Sequence, residues 1–261
     1  MRSLLLVLCL LLFAPLCRAQ TLDHYFSYRR DVGASQQLTG NVEILTVFVD
    51  DETSTWTQDA KDKYFQEMHK AKDLLSSAAK TQGVALSLNS ASFHVAVPEG
   101  ADWYDYTMLG YLGFETMVDL HEYYEEDLCM DETPVIFAFN NKDRCYSFAV
   151  NAASITNANA QEYTVIHAVH DNLARTLAHE LLHQFGAVDY YFPDAVKEAA
   201  KADFGSSIMN TRGTTLDDLT AYLIGWRDDL SPSAQRFLEA TAFINESTMS
   251  TALDDEWPDH K

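Results

Sequence analysis

Residues 171–189 read DNLARTLAHELLHQFGAVD. Leu173, Leu177, Leu181 and Phe185 recur every fourth residue, the mark of one apolar helix face, and Asp171 stands where an N-cap belongs. His179 and His183 are also four apart, so a helix would carry both imidazoles on one side, one turn from each other. Glu180 projects beside that pair, while Leu181 and Leu182 turn towards the core. Gly186 then offers left-handed backbone, which ends a helix with a sharp change of direction. Asp189 follows three residues later.

Two imidazoles one turn apart can share a metal ion. A helix supplies two ligands readily, and the third must come from elsewhere. The Asp189 carboxylate, just past the glycine bend, can complete a three-ligand site that keeps a fourth position open. Glu180 is placed to act as a general base rather than as a ligand.

The string His-Glu-x-x-His-x-x-Gly-x-x-Asp resembles the extended motif of the metzincin clan of zinc peptidases. Most members end that motif with histidine; Asp189 in its place is similar to the snapalysin-type variant. Residues 206–210, Ser-Ser-Ile-Met-Asn, resemble the clan's Met-turn, which sets a methionine, here Met209, beneath the metal-site histidines. Tyr191, two residues past Asp189, matches a tyrosine thought to assist the transition state in the snapalysin-type pattern. Thr211 stands where some members carry another tyrosine. The resemblance is confined to 171–210. It implies one catalytic Zn2+, peptide-bond hydrolysis, and an α/β (α+β) zincin-like fold. That fold has a twisted mixed sheet, an active-site helix and a smaller, mostly helical C-terminal subdomain.

The rest of the chain reads as a mixed α/β domain. The β-branched run at 41–50 predicts a strand, and 57–81 predicts a helix stopped by Gly83. A strand pattern returns over 84–97, and 108–128 reads as one helix. Residues 134–139 and 145–149 read as strands paired around the polar turn 140–143, and 163–169 as another short strand. Beyond 207, helices are expected over 215–226 and from Ser231-Pro232, where proline suits a first turn. No internal repeat is present.

The 261 residues are 47% hydrophobic and 22% charged, an ordinary globular balance, but the net charge is −21. Such a chain is repelled by nucleic acid and by anionic membranes, and could attract cationic protein or peptide substrates. Residues 1–19 read as a cleaved signal peptide, which implies a secreted protein with no membrane association afterwards, expected to be a monomer. Residues 20–40 form an N-terminal segment, read as a short pro-segment or as a strand and loop; 41–261 are read as one metallopeptidase domain, 41–186 above the site and 187–261 below it. Cys129 and Cys145, the cysteines left after cleavage, are expected to form one disulfide.

Other readings stand beside these. Asp50-Asp51 offers a possible calcium site, or a solvated acidic pair. Asn245 opens a glycosylation triplet. His167 and His170 read as strand-edge or loop residues rather than ligands. Glu198 is an alternative third ligand on a later helix, and a secreted zinc-binding protein without turnover is the alternative function.

Overall fold

The computed structural model describes residues 30–31, 33–100, 105–148 and 162–244. The expected signal segment, the start of the N-terminal segment and the Asn245 triplet lie outside them.

Strand β1 (Gly40–Asp50) is buried on both faces along most of its length, which is why it reads as an almost unbroken apolar run. Helix α1 (Gln58–Gln82) follows, with the Thr57 hydroxyl accepting from the Ala60 N–H at one end and left-handed Gly83 at the other. Strand β2 (Leu86–Ala96) returns parallel to β1. Two short helices follow, α2 (Asp105–Leu112) and α3 (Met117–Glu122), the latter running into a π-helical turn (Tyr123–Asp127). The single helix expected over 108–128 is therefore broken: Gly113 takes a φ of 89°, and Thr116 starts a new helix with a capping box to Asp119.

Strands β3 (Val135–Phe139), β4 (Tyr146–Phe148) and β5 (Tyr163–His167) complete a five-stranded mixed sheet in the order β2-β1-β3-β5-β4. Here β4 is an antiparallel edge strand beside β5, not a hairpin partner of β3, because β5 inserts between them. Helix α4 (Leu173–Gln184) carries the two histidines. Asn172 rather than Asp171 is its N-cap, and it makes no side-chain cap bond. Helices α5 (Asp194–Ala200), α6 (Asp218–Leu223) and α7 (Pro232–Ala240) form the smaller helical C-terminal part.

The result is a mixed α/β architecture with apolar layers on both sheet faces. On one face Ile44, Phe48, Ile136, Ala138 and Ile166 pack against α1 and α4. On the other Leu45, Val47, Phe137 and Val165 meet Leu109, Met117, Leu120 and Tyr124. The core-facing stripe of α4 is Leu173, Leu177, Leu181 and Leu182, each at most 6% exposed, which locks the helix against the sheet and leaves its other side for chemistry. Gln184 adds a polar lock: its side-chain amide accepts from the Val135 N–H at 3.1 Å and donates to the Val135 carbonyl at 3.0 Å.

Residues before β1 are part of this fold. Ser35 and Leu38 are fully buried. The N–H groups of Ala34 and Ser35 donate to the Glu162 carboxylate, and those of Gln36 and Gln37 to Glu132.

The expected disulfide is absent: Cys129 and Cys145 are both free thiols. Cys129 precedes Asp131, whose N–H bonds the Asn41 carbonyl at the start of β1. Cys145 bonds the backbone of His167, level with Phe139 at the far end of β3. Those levels are eight residues apart along the strands, roughly 26 Å at about 3.3 Å per residue. A disulfide spans a Cα separation under about 7 Å.

Candidate metal centre

Helix α4 ends at Phe185, and Gly186 turns the chain with a φ of 93°, as the sequence reading required. The bend returns Asp189 to the two imidazoles. Nε2 of His179 and Nε2 of His183 are 3.2 Å apart, and Oδ1 of Asp189 lies 3.2 Å from the first and 3.3 Å from the second.

The partners on the far side of each ring define what those nitrogens are. Nδ1 of His179 is 2.9 Å from the Ile208 carbonyl, and Nδ1 of His183 is 2.8 Å from the Ala187 carbonyl. A carbonyl oxygen only accepts, so both Nδ1 atoms carry hydrogen. In the neutral rings both Nε2 atoms are then bare lone pairs, facing each other and a carboxylate oxygen. Asp189 Oδ1 is itself buried with no hydrogen-bond partner. Three converging lone pairs repel unless a cation sits among them: a metal ion or, with none bound, the proton that Asp189 favours on His183. Four ligands around tetrahedral zinc at about 2.0–2.1 Å stand about 3.3–3.4 Å apart, which matches this triangle. The donor set of two imidazoles and one carboxylate also suits zinc.

The electrostatics agree with a site built for positive charge. Burial works against a charged His183, but the Asp189 carboxylate outweighs it and holds this imidazole up at about 9. Burial likewise opposes a charged Asp189, yet His183 and His179 together hold its carboxyl far below the usual range.

Glu180 is 7% exposed. Its ligand atom and those of His179 and His183 all lie within 4.8 Å of one another. The Ser147 hydroxyl on β4 lies 2.9 Å from Glu180 Oε2. Tyr191 stacks against the His179 ring with centroids 6.1 Å apart. Burial, then the negative charges of Asp189 and Glu180, push its phenol far above the ordinary tyrosine value, so it keeps its proton.

The loop around Met209 meets His179 through the Ile208 carbonyl, and Met209 itself is fully buried. Its carbonyl accepts from the Tyr190 N–H at 2.9 Å, and its own N–H donates to the Ser207 hydroxyl at 3.0 Å. Asp217 joins this loop to α6, accepting from the Tyr190 hydroxyl at 3.0 Å and from Ser207 while it caps the helix.

The structure thus brings together His179, Glu180, His183, Asp189, Tyr191 and the loop of Met209. It leaves Glu198 on the exposed side of α5, paired with Lys201. His167 bonds Asn141 and stacks on Phe139, a local role. Asp50 accepts from the Trp56 N–H and Asp51 from the Thr53 N–H; among the described residues no group of three nitrogen, thiol or carboxylate ligands gathers there.

Among solved structures, the chain is similar to a metalloproteinase. That structure is the crystal structure of metalloproteinase-II from Bacteroides fragilis, at 12% sequence identity and a TM-score of 0.40. The match covers 75% of this chain and 55% of that one, so the chain spans little more than half of that protein's length. No protein-family model matches the chain, and no curated protein does.

Sequence reasoning passed over Ser147, Gln184 and Asp217. Each reaches a partner remote in sequence, and the visible signals are Gln184 in a position otherwise suited to an apolar side chain and Asp217 in an N-cap position.

Proposed function

We propose that the protein is a secreted zinc-dependent endopeptidase. The observation that carries the reading is the convergence of His179 Nε2, His183 Nε2 and Asp189 Oδ1 as three lone pairs at zinc-ligand spacing. Secretion rests on residues 1–19 alone.

His179, His183 and Asp189 would hold the ion. A zinc ion there supplies Lewis-acid polarisation of a carbonyl and acidifies water within its reach. Glu180 is the base: its carboxylate takes a proton from the attacking water and passes it to the departing amine. Ser147 orients that carboxylate by holding Oε2. Tyr191, kept protonated, is a donor suited to a developing oxyanion. The net charge of −21 favours cationic peptide segments as substrates.

A peptide library incubated with the purified protein, with and without a chelator, tests this reading. Chelator-sensitive internal cleavage is expected. A zinc-loaded protein that leaves every peptide intact would instead be a binding protein.

A further inference from the structure

One charged side chain near the centre has no part in that mechanism. Arg175 lies on α4 one turn before His179, on the same helical side. Its guanidinium is half buried and hydrogen-bonds main-chain carbonyls. Nη2 donates to Ile208 O at 2.7 Å and also to Asn210 O, while Nε donates to Gly213 O at 2.9 Å. Two of those carbonyls flank Met209.

The Ile208 carbonyl is shared. It accepts from Arg175 and from His179 Nδ1, which uses both of its lone pairs. The next carbonyl, Met209 O, accepts from the N–H of Tyr190, the neighbour of Asp189. Three consecutive carbonyls, 208 to 210, therefore connect Arg175, the first histidine and the segment carrying Asp189. The backbone packs closely here, and only glycine fits at 213: a Cβ there would come within 1.7 Å of the Ser207 carbonyl oxygen. A planar fork with several fixed donors can grip three carbonyls; a lysine ammonium cannot reproduce that geometry.

We infer that Arg175 is a positioning residue of the metal centre: by clamping the carbonyls on either side of Met209 it fixes the orientation of His179, and through Tyr190 the approach of Asp189. This rests on the metal-centre reading above. Arg175 reaches His179 through the Ile208 carbonyl, while its charge also acts on Asp189 and Glu180. His183 is the internal control, because its Nδ1 bonds Ala187, which Arg175 does not touch.

The test compares R175K and R175M with the parent full-length protein. Zinc affinity is measured by competition with a chromophoric chelator, kcat and KM on a peptide identified from the library, and the Nδ1–H signals of both histidines by proton–nitrogen NMR of the zinc form. Zinc affinity is expected to fall about 10- to 100-fold in both variants, the usual range for residues supporting a ligand. kcat should fall with KM nearly unchanged. The His179 signal should shift or broaden while that of His183 stays in place. A purely structural role would move both histidines or neither. If R175M does not fold, R175K decides. Parent-like zinc affinity with an unmoved His179 signal would overturn the inference and leave the metal centre intact. A parent protein that takes up no zinc would overturn the metal centre, and this inference with it.

Discussion

The Ser147 hydroxyl lies 2.9 Å from Oε2 of Glu180 and 2.8 Å from the main-chain carbonyl of the same residue. The hydroxyl has one proton for these two acceptors, so the edge strand holds Glu180 from a single point, beside two imidazoles that the carboxylate does not need to join as a ligand. A base held this way should be separable from metal binding. Glu180→Ala is expected to keep its zinc and lose about 10²- to 10⁴-fold in peptide cleavage, the usual contribution of a positioned acid–base group. Metal content by mass spectrometry and initial cleavage rates on one peptide check both halves. Parent-like cleavage by the variant would remove Glu180 from the mechanism.

Asp189 and Glu198 are the two acids that could serve as third ligand in the chain, and the structure separates them. Asp189→Asn keeps shape but removes the charge facing both imidazoles, so zinc affinity should fall by more than about 100-fold, beyond the range for supporting residues. Glu198→Ala should bind zinc like the parent, since that carboxylate is exposed and paired with Lys201. Chelator competition on the two proteins measures this directly, and the reverse ranking would reassign the site.

The N-terminal strap should respond to pH. Burial pushes Glu132 up to about 8, against the Gln37 and Gln36 N–H groups that favour its charged form, and Glu125 and Glu162 add to the rise. The folded state therefore holds a proton that the unfolded chain, titrating near 4.5, has already released. This contribution to stability is complete below about pH 4.5 and is lost as pH rises through about 8. Glu132→Gln carries no such proton. The difference in urea midpoint between parent and variant should move in the variant's favour from pH 5 to pH 9. A difference that does not change with pH would show that Glu132 is charged throughout.

The thiols offer a separate check on the fold. Cys129 is exposed, whereas Cys145 is partly buried and burial, only partly offset by the His167 N–H, pushes its thiol up to about 11. An alkylating reagent at pH 7.5 should label Cys129 well before Cys145, as thiolate supply and access both demand. Peptide mapping by mass spectrometry reads the order. A disulfide-linked peptide joining 129 and 145 would contradict the strand arrangement.

What could be read from the sequence was local. The helix of 173–184, the left-handed turn at Gly186 and the return of Asp189 all follow from spacings inside one short stretch. Thr57 and Gly83 likewise announce both ends of α1 within a turn of the residues they cap. What escaped was long-range. Nothing near 140–148 says that β5 will slide between β3 and β4, and a count of two cysteines says nothing of the strand lengths that separate them. The partner of Arg175 lies 33 residues away in a turn whose path depends on packing. Its one signal was a charged residue in register with two metal-ligand candidates. The break in 108–128 was visible as Gly113, but apolar spacing carries straight across it.

The claim on which the account rests is that one cation sits among His179, His183 and Asp189. A crystal of the zinc-loaded protein, measured at the zinc absorption edge, tests it most directly. The account predicts a single strong anomalous peak about 2.0–2.2 Å from both Nε2 atoms and from Asp189 Oδ1. A peak elsewhere, or one at the histidines with the Asp189 carboxylate turned away, would contradict it.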